Sequence, residues 1–540
     1  MKAVDQIRAE LIRAARDIGA PADVDPLLER PRDSSHGDWA TNLAMVLAKP
    51  LRSKPRDIAE RLRTTMKLDA AGVSRVDIAG PGFMNFWIDA GQIASGLRDI
   101  IRSDEKYGYN DSGRGRVVNV EFVSANPTGP LHVGHGRQAA LGDAIATLLE
   151  VTGWKVTREF YYNDAGVQID NLAASVQARL DELQGKPSPI PEGGYHGEYI
   201  RELAERYTTE GGGMSVREFA IRELRKEQDL DLQAFGVRFD KYFLESSLYT
   251  DGMVENTVRA LVHSGKTYEN EGALWLRTTE FGDDKDRVMR KRDGTYTYFL
   301  PDVAYHVTKW QRGFHRAIDV QGADHHSTVT RVRAGLQALD MGVEQNYPEY
   351  VLHQMVTVMK HGEEVKISKR AGSYVTVRDL INEVGRDAVR YFFLMRKSDS
   401  QLIFNVDLAA SQSEENPVYY IQMGHARMSG IFRVGGIDPS SISADGVNFS
   451  VLSEPEEQEL IKALLDFPAL VAGAAESLEP HRIANYLLET ARLAHLWYHK
   501  HHVLEQSEEI TRARLALARG AQIVLRNGMR ILGVTAPERM

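Results

Sequence analysis

Two short motifs, more than two hundred residues apart, carry residue types suited to chemistry on phosphate. The first is Leu131-His132-Val133-Gly134-His135-Gly136, and the second is Lys366-Ile367-Ser368-Lys369-Arg370. Two imidazoles three residues apart can hold ATP phosphates, and the bare glycine between them lets adenine lie close to the backbone. Two lysines and an arginine around a small serine suit a pyrophosphate leaving group, on which charge develops. Together the motifs predict an ATP-cleaving nucleotide site.

The first motif can work in this way where a strand turns into a helix. Residues 117–123 form a β-rich apolar run, residues 126–130 have turn composition, and apolar residues then recur at helical spacing until Gly153. His132 and His135 are therefore predicted near a helix N-terminus. Unpaired N–H groups and the positive end of the helix dipole favour phosphate there.

Each motif taken alone has an ordinary explanation. A four-residue HVGH string is short enough to recur by chance, and KISKR could be a solvated basic turn. In this order and at this separation, the two resemble the paired signatures of class I aminoacyl-tRNA synthetases.

Within that class, the chain resembles the arginyl-tRNA synthetases over nearly its whole length. Further strings follow in the order of that family: Glu121 to Pro130 (EFVSANPTGP), Tyr161 to Gly166 (YYNDAG), Phe239-Asp240 with Glu245-Ser246, Asp293-Gly294-Thr295, Asn416 to Tyr420 (NPVYY) and the terminal Ala536 to Met540 (APERM).

The resemblance implies an arginine site and an ATP site. A guanidinium presents a planar fork of donors, so selective binding needs fixed carboxylates; Asp302 and Glu121 resemble the family's guanidinium partners, and Asn126 resembles its α-amino ligand. As an alternative, Asp302 is the N-cap of the helix that starts at Val303. The implied arginine-binding set is Glu121, Ser124, Asn126, Tyr298 and Asp302; the ATP-binding set is His132, Gly134, His135, Gly322, Ser368 and Lys369; the catalytic set is His132, His135, Lys366 and Lys369.

Composition sets broader limits. With 540 residues, 43% hydrophobic and 26% charged, the chain is long enough for about three domains with cores of their own. Cysteine is absent, which excludes disulfides and thiolate zinc sites and suits a reducing cytoplasm. Residues 1–19 lack an apolar signal core and no long apolar run occurs, so we expect a cytoplasmic protein without membrane spans.

The pattern of elements predicts an α/β fold in three parts. Residues 1–110 are predicted to form a small α+β domain, with strands at 73–78 and 83–88. Residues 114–384 alternate strand and helix, which indicates a Rossmann-like parallel sheet with an insertion near 185–235; its Gly- and Pro-rich part, 185–213, is predicted as a surface insertion. No P-loop and no strand-linked GxGxxG occurs. Residues 385–540 show helical periodicity and are predicted to form an all-α bundle.

The same resemblance implies that tRNA is the partner. The N-terminal domain is expected to touch the D-loop corner through Phe83 and Asn85, although Phe83 could be core with only Asn85 exposed. The C-terminal bundle is expected to bind the anticodon through Tyr420 and Met540. Met423 stands where the family often has an aromatic residue, and its contact is left open.

Charge and histidine clusters add two further expectations. The net charge of −9 argues by itself against nucleic acid, but local basic surfaces can serve an acidic enzyme. The candidates for such a surface are Arg512, Arg514, Arg519, Arg526 and Arg530, each of which could instead belong to an ordinary exposed helix face. His325 and His326, predicted on an extended segment, should point apart and not share a metal ion. His499, His501 and His502 receive no assignment.

The implied reaction is activation of arginine by ATP with magnesium, followed by transfer to the terminal adenosine of arginine tRNA. No protein-bound metal, and in particular no zinc, is expected, and the chain is expected to act as a monomer. Three alternatives stay open: a noncatalytic tRNA-binding relative, a small-molecule nucleotidyltransferase, and a class I synthetase for another amino acid. The intact motifs argue against a noncatalytic relative, and the long helical C-terminal region argues against a small-molecule nucleotidyltransferase. The acidic pocket is the feature that distinguishes an arginine enzyme from a synthetase for another amino acid.

Overall fold

A computed structural model describes residues 3–31, 33–164, 166–186, 188–365 and 374–540. Lys366, Ser368 and Lys369, on which the second motif depends, lie outside the described residues. The chain divides into two units. The first unit contains Met1–Asp104, Met428–Leu465 and Leu493–Ile523, and the second contains Glu105–Arg427, Asp466–Arg492 and Val524–Met540.

The N-terminal region is α+β, as predicted. Its elements are α1 (Ala3–Asp17), β1 (Trp39–Thr41), α2 (Leu43–Val46), α3 (Pro55–Thr65), β2 (Val73–Ala79), β3 (Phe83–Ile88), α4 (Ala90–Ala94) and α5 (Leu97–Ser103). The three strands form an antiparallel sheet in the order β1-β3-β2. Leu11 of α1 and Leu62 of α3 pack in one core with Phe86 of β3. The short strand β1 has too few residues to show a period in the sequence.

The middle of the chain builds a parallel sheet of five strands. Its elements begin with β4 (Val117–Glu121), α6 (Val133–Val151), β5 (Lys155–Tyr162), α7 (Val167–Leu183), α8 (Glu198–Glu210), α9 (Val216–Ala234), β6 (Lys241–Leu244), α10 (Glu245–Thr250), α11 (Met253–His263), β7 (Thr267–Asn270), β8 (Ala273–Leu276) and β9 (Arg287–Arg290). They continue with α12 (Phe299–Gln311), β10 (Ala317–Gly322), α13 (His326–Ala338) and β11 (Glu349–His353).

The order β11-β10-β4-β5-β6 confirms the Rossmann-like prediction. In chain order these strands read 5-4-1-2-3, so the direction of winding reverses between β4 and β10. Ligands of such sheets bind beyond the carboxyl ends of the strands at that reversal point. Glu121 ends β4 and Gly322 ends β10, so both predicted site residues flank it.

The insertion is more ordered than the sequence indicated. Residues 185–213 were expected as a surface insertion on Gly and Pro content, but residues 198–210 form helix α8. Ile200 and Leu203 of α8 are buried in a core shared with α7 and α9. Ser215 and Glu218 form a capping box that starts α9. The glycines and prolines of this stretch lie in the connections, outside the helix.

The rest of the described chain is mainly helical. Its elements are β12 (Val356–Lys360), β13 (Glu363–Glu364), α14 (Val377–Val384), α15 (Arg386–Leu394), β14 (Leu402–Asn405), α16 (Val406–Ala410), α17 (Pro417–Gly435), α18 (Pro455–Ser477), α19 (His481–Lys500) and α20 (Glu508–Ile531). Strand β14 was missed by the prediction of helix from 385 onward, and it pairs in parallel with β12. From Pro417 the regular elements are helices, as predicted. No helix within the described ranges is long and apolar enough to cross a membrane.

Candidate active site

The HVGH turn begins helix α6, as the sequence predicted. His132 is the N-cap residue, and its Nδ1 accepts a hydrogen bond from the backbone N–H of His135 at 3.2 Å. The two rings stack with their centroids 3.6 Å apart. Burial lowers the pKa of His132 and lowers the pKa of His135 well below its usual value. Both imidazoles are therefore neutral at neutral pH and offer ring N–H donors beside the positive end of the helix dipole.

Two glycines of this turn lie where a side chain has no room. A Cβ on Gly134 would lie 2.8 Å from Cε1 of His132, and a Cβ on Gly136 would lie 2.7 Å from Cγ2 of Val377. Val377 also donates its backbone N–H to the carbonyl of Leu131 at 2.9 Å. The chain that follows the second motif is thus paired directly with the first motif.

A cavity of about 480 Å³ opens beside the two histidines. One wall is the turn from Asn126 to Pro130 together with the HVGH residues, and the other is formed by the segment that leads into α8. Tyr195, Tyr199 and Tyr374 give the cavity an aromatic lining. A cavity of this size, with aromatic rings and polar side chains in its lining, fits a nucleotide-sized ligand.

Three buried carboxylates stand side by side on neighbouring strands. Asp319 of β10 is paired in register with Glu121 of β4, and Glu121 is paired in register with Glu159 of β5. We call these three residues the carboxylate row. The side chains of Asp319 and Glu159 are fully buried, and that of Glu121 is nearly so. Such a row requires compensating cations in the same interior.

Helix α12 and its C-cap residue supply these cations. Lys309 Nζ donates to Glu121 Oε2 at 2.5 Å and to Asp319 Oδ1 at 2.7 Å. Arg312 donates twice to Glu159, at 2.7 and 2.9 Å. Burial works against the charged form of Lys309, but the two carboxylates prevail and raise its pKa. The ammonium therefore stays protonated inside the protein.

Two members of the carboxylate row, together with His306, form a candidate metal-ligand group. Among the residues that the structure describes, Glu121, His306 and Asp319 bring ligand atoms within 4.8 Å of one another. His306 Nε2 lies 2.6 Å from Asp319 Oδ2. Because Lys309 Nζ bridges Glu121 and Asp319, the protein's own ammonium already supplies the positive charge that a metal ion would bring.

Asp302 differs from the row because its charge is not compensated. No hydrogen bond to its carboxylate occurs among the described residues. Burial raises the pKa of Asp302 to about 7, with His306 opposing this shift and Glu245 adding to it. Glu245 accepts a hydrogen bond from the Tyr161 hydroxyl at 2.8 Å, and burial raises its pKa as well. The pocket thus holds two carboxylates that would gain from a cation arriving from solvent.

The helix-cap alternative for Asp302 is wrong. Helix α12 starts at Phe299, so Asp302 lies inside its first turns, and Tyr298 occupies the N-cap position without a capping side-chain bond. Tyr298 is 78% exposed and open to a ligand.

The remaining predicted arginine ligands lie at the end of β4. Val123 and Ser124 have φ angles of 71° and 42°, a left-handed conformation that is strained for a β-branched residue. Ser124 donates its hydroxyl to Glu121 at 2.8 Å and accepts the backbone N–H of Tyr161. The Asn126 amide donates to Gln168 of α7. Strain of this kind concentrates at binding sites, where it aims side chains.

The predicted Phe83 and Asn85 pair has unequal exposure. Phe83 is 42% exposed, whereas Asn85 is 6% exposed because it lies in the central strand, opposite Ala40 and Asp77. The alternative with Phe83 in the core and Asn85 exposed is therefore wrong. A joint role of the two in tRNA binding stays a prediction.

The predicted anticodon contacts lie on one helix and at the chain end. Tyr420 and Met423 are half-buried on α17, and Met540 is 55% exposed. A hydrogen bond of 2.8 Å joins Nδ1 of His425, on the same helix, to the carbonyl of Pro537. The terminal segment is therefore held against α17.

The C-terminal arginines do not all offer free charge. Arg514 donates to Glu457 at 2.8 Å, and Arg519 donates to Asp104 at 3.1 Å, so both are paired within the fold. Arg512 and Arg530 are exposed, and Arg526 is half-buried. An arginine-rich stretch without acidic residues does not reveal distant partners. The expected basic surface is correspondingly smaller.

The structure corrects the expectation for His325 and His326 and gives a position to His501, which had no assignment. His325 and His326 lie in a short 3₁₀ turn and at the start of α13, so the premise of an extended segment is wrong. They follow the carboxyl end of β10, where Gly322 ends the strand. In the other cluster, His501 Nε2 lies 3.2 Å from Glu456 Oε2 and is largely buried.

Lys309, Glu159 and Asp319 were missed by sequence reasoning. The spacing of Tyr305, Lys309 and Arg312 places polar groups on a helix face that is otherwise apolar, which is the one signal available in the sequence. Their partners lie on three separate strands, and no local pattern joins them.

Three family models match the chain in succession. They are the arginyl tRNA synthetase N terminal domain over residues 3–88, the tRNA synthetases class I (R) catalytic domain over residues 96–428, and the DALR anticodon binding domain over residues 421–540. An arginine–tRNA ligase from Geotalea daltonii is 55% identical over 95% of both chains. One from Cupriavidus necator is 52% identical over 96% of this chain and 97% of its own.

Solved structures agree with this assignment. A putative arginyl-tRNA synthetase from Campylobacter jejuni superposes with a TM-score of 0.77 at 29% identity, covering 84% of this chain and 100% of its own. The fold of the arginyl-tRNA synthetase from Thermus thermophilus, at 23% identity, matches 99% of this chain and 100% of its own with a TM-score of 0.77. The chain therefore belongs to the arginyl-tRNA synthetase family.

Proposed function

We propose that this protein is an arginine–tRNA ligase that forms arginyl-adenylate from arginine and ATP and then transfers arginine to the terminal adenosine of its tRNA. The observation that carries the proposal is the Asp302 carboxylate, which is buried near Glu245 and Glu121 without a hydrogen bond among the described residues. A separate cavity is lined by His132 and His135. The acidic pocket at Asp302 suits the guanidinium of arginine, and the turn at His132 and His135 suits the phosphates of ATP. These are the two substrates of the first step.

In that step the arginine carboxylate attacks the α-phosphorus of ATP, and pyrophosphate leaves. No enzyme nucleophile is needed, so catalysis depends on positioning and on electrostatic stabilisation. His132 and His135 are proposed to donate to the phosphate oxygens from the N-terminus of α6, while Gly134 and Gly322 make room for the nucleotide. Lys366, Ser368 and Lys369 are assigned to the phosphates and the leaving pyrophosphate on the family resemblance alone.

The guanidinium is proposed to bind where Asp302 and Glu121 meet. Asp302 accepts the fork of guanidinium donors, and Glu121 adds negative charge to the wall of the site, although its two oxygens already accept from Lys309 and Ser124. Asn126 is proposed to hold the substrate amino group, with Ser124 and Tyr298 completing the site. In the second step the 2'-hydroxyl of the terminal adenosine loses its proton and attacks the adenylate carbonyl, so that the arginyl ester forms and AMP leaves.

Magnesium is proposed to arrive with ATP rather than to reside in the protein. The candidate ligand group in the described residues is the one that Lys309 already neutralises, and hard oxygen ligands for magnesium come from the ATP phosphates.

The division of labour along the chain is also part of this proposal. Residues 1–110 contact the D-loop corner of tRNA through Phe83 and Asn85, residues 114–384 carry out the chemistry, and residues 385–540 bind the anticodon through Tyr420 and Met540. The protein is proposed to be cytoplasmic and to act as a monomer. Light scattering of the purified protein, with and without tRNA, tests the oligomeric state.

One experiment tests the core of the proposal. Purified protein is incubated with ATP, magnesium, mixed tRNA and each of the amino acids in turn, and aminoacyl-tRNA is measured. We expect charging with arginine and none with lysine, because an ammonium cannot make the two parallel bonds of a guanidinium. Charging with another amino acid, or no charging by folded protein, contradicts the proposal.

A further inference from the structure

The turn of residues 126–130 joins two parts of the active site. It follows the strained Val123 and Ser124, begins with the proposed amino-group ligand Asn126, and ends two residues before His132. A shift of this turn therefore moves the arginine ligand and the phosphate-binding turn together. Helices α7, α8 and α9 each contact this turn through a side-chain hydrogen bond, and Tyr374 donates its hydroxyl to the carbonyl of Pro130 at 3.0 Å.

Gln228 of α9 makes the central contact. Its side-chain amide donates to the carbonyl of Asn126 at 3.0 Å and to the carbonyl of Gly129 at 2.9 Å. Gln228 is 1% exposed, and its Oε1 is buried with no hydrogen-bond partner in the part of the chain that the structure describes. The opposite orientation of the amide would set its oxygen against two carbonyl oxygens, so the observed one is favoured. Both donors of the amide are thus spent on this turn, and its acceptor is left unsatisfied.

Two further contacts come from the other helices of the insertion. The Tyr199 hydroxyl of α8 donates to the carbonyl of Thr128 at 2.9 Å, and Gln168 of α7 accepts from the Asn126 amide. At Gly129 the approach is close, since a Cβ there would lie 3.1 Å from the Tyr199 hydroxyl. All three helices therefore contact one short turn. Within the part of the chain that the structure describes, Gln228 bonds two of its carbonyls, whereas Tyr199 and Tyr374 bond one each.

We infer that Gln228 is a positioning residue for arginine activation, and that the insertion is through it a working part of the active site. This inference rests on the proposed function. Gln228 reaches neither substrate; it fixes the backbone carbonyls at both ends of the turn, so that Asn126 and His132 keep their spacing. A buried amide that leaves its own acceptor unsatisfied is retained at a cost, which fits a positional role better than a purely stabilising one.

The expected effect is large because activation depends on alignment. A displacement of about 1 Å at a group that orients substrates can lower the rate about a hundredfold. Loss of both hydrogen bonds at Gln228 frees the turn at two points without touching the guanidinium pocket. We therefore expect a lower rate of adenylate formation and weaker use of both arginine and ATP, with no change in the affinity for tRNA.

The test compares Gln228→Met with Gln233→Met. Methionine has a similar length and no donor, and Gln233 is exposed on the same helix α9. Arginine-dependent exchange of pyrophosphate into ATP is measured with arginine tRNA present, together with melting temperatures and tRNA affinity. We expect Gln228→Met to lose tenfold or more in kcat, and in kcat/KM for both arginine and ATP, at temperatures where it is fully folded. Gln233→Met should match the wild type.

The outcomes separate the inference from the function. Wild-type protein without arginine-dependent exchange contradicts the proposed function. Wild-type activity with kinetic constants of Gln228→Met within twofold of it overturns the inference, as does a loss that merely follows the unfolded fraction. If Gln228→Met does not fold, Tyr199→Phe decides: removal of one bond to the same turn should lower kcat about threefold or more, and unchanged kinetics overturn the inference.

Discussion

Replacing Asp302 by asparagine should lower arginine affinity and raise stability at the same time. The change keeps the shape of the side chain and removes the charge that pairs with the guanidinium. Truncating one partner of a buried charge pair costs about 2–5 kcal/mol, which corresponds to a loss of arginine affinity of about thirtyfold to several thousandfold. ATP affinity should stay nearly unchanged, because the phosphate-binding turn is intact.

The same substitution, Asp302→Asn, should raise the free energy of unfolding. Burial raises the pKa of Asp302 from 3.8 to about 7, so the folded state binds this proton more tightly than the unfolded state does. The ionised carboxylate therefore destabilises the fold above pH 7, and this cost disappears below pH 4 where both states are protonated. Since each tenfold change in proton affinity is worth about 1.4 kcal/mol, the cost at pH 8 is on the order of 4 kcal/mol. Asp302→Asn should melt at a higher temperature than wild type at pH 8.

The pH dependence of arginine binding follows from the same proton. A carboxyl with a pKa of about 7 is ionised in about a tenth of the molecules at pH 6, so the wild-type KM for arginine should fall about fivefold to tenfold between pH 6 and pH 8. Asp302→Asn should lack this dependence. Burial lowers the pKa of His135 well below its usual value, so His135 stays neutral over this range. His132, whose pKa burial also lowers, is present in both proteins, so its contribution cancels in the comparison.

Initial rates of aminoacylation and thermal melts at pH 6, 7 and 8 provide the measurement. Asp445→Asn is the control, since that carboxylate is largely exposed in a loop of the other unit. A wild-type KM that is flat with pH, or an Asp302→Asn variant with normal arginine KM and a lower melting temperature, would refute the reasoning.

Three further predictions follow from other parts of the molecule. His135→Ala should slow adenylate formation about a hundredfold while leaving arginine affinity unchanged in equilibrium binding; normal turnover in pyrophosphate exchange would remove its assigned role. Lys309→Met leaves Glu121 and Asp319 buried without their cation and should cost about 3–5 kcal/mol in urea unfolding, whereas Lys360→Met, which breaks a surface pair with Glu383, should cost less than about 1 kcal/mol. Deleting Ala536 to Met540 removes the hydrogen bond between His425 and Pro537 and should weaken tRNA charging while leaving ATP binding intact. The affinity of the protein for tRNA should fall steeply as the salt concentration rises. Unchanged charging kinetics of the truncated protein at two salt concentrations would mean that the segment has a structural role.

The sequence predicted what depends on local pattern. The helix at His132, the strands that end at Glu121 and Gly322, and the parallel sheet follow from periodicity and from turn residues at fixed offsets. In the stretch 185–213, glycine and proline indicate the connections but do not reveal the helix at residues 198–210. Strand β14 was missed because four residues inside a helical region carry no period of their own.

The interior of the site could not be predicted in this way. Lys309 lies 188 residues from Glu121 and meets it because β4 and α12 pack together in three dimensions. The same holds for Gln228, whose partners lie about a hundred residues earlier. A buried ion pair or a buried amide needs its partner at a defined distance, and one sequence contains no distances between remote segments. The helix-cap reading of Asp302 failed for a related reason, since the start of α12 depends on the residues before Tyr298 as well as on those after it.

The cations of α12 also explain how an acidic interior can select a single substrate cation. Lys309 and Arg312 offset two of the three negative charges of the carboxylate row and hydrogen-bond all three of its carboxylates. Asp302 and Glu245 have no such ion pair among the described residues, and burial raises the pKa of both. A guanidinium supplies a positive charge and also the parallel donors that two oxygens of a carboxylate accept. The ammonium of lysine supplies the charge but not the parallel donors. The negative charge of the pocket therefore attracts both amino acids, and the hydrogen-bond geometry selects arginine.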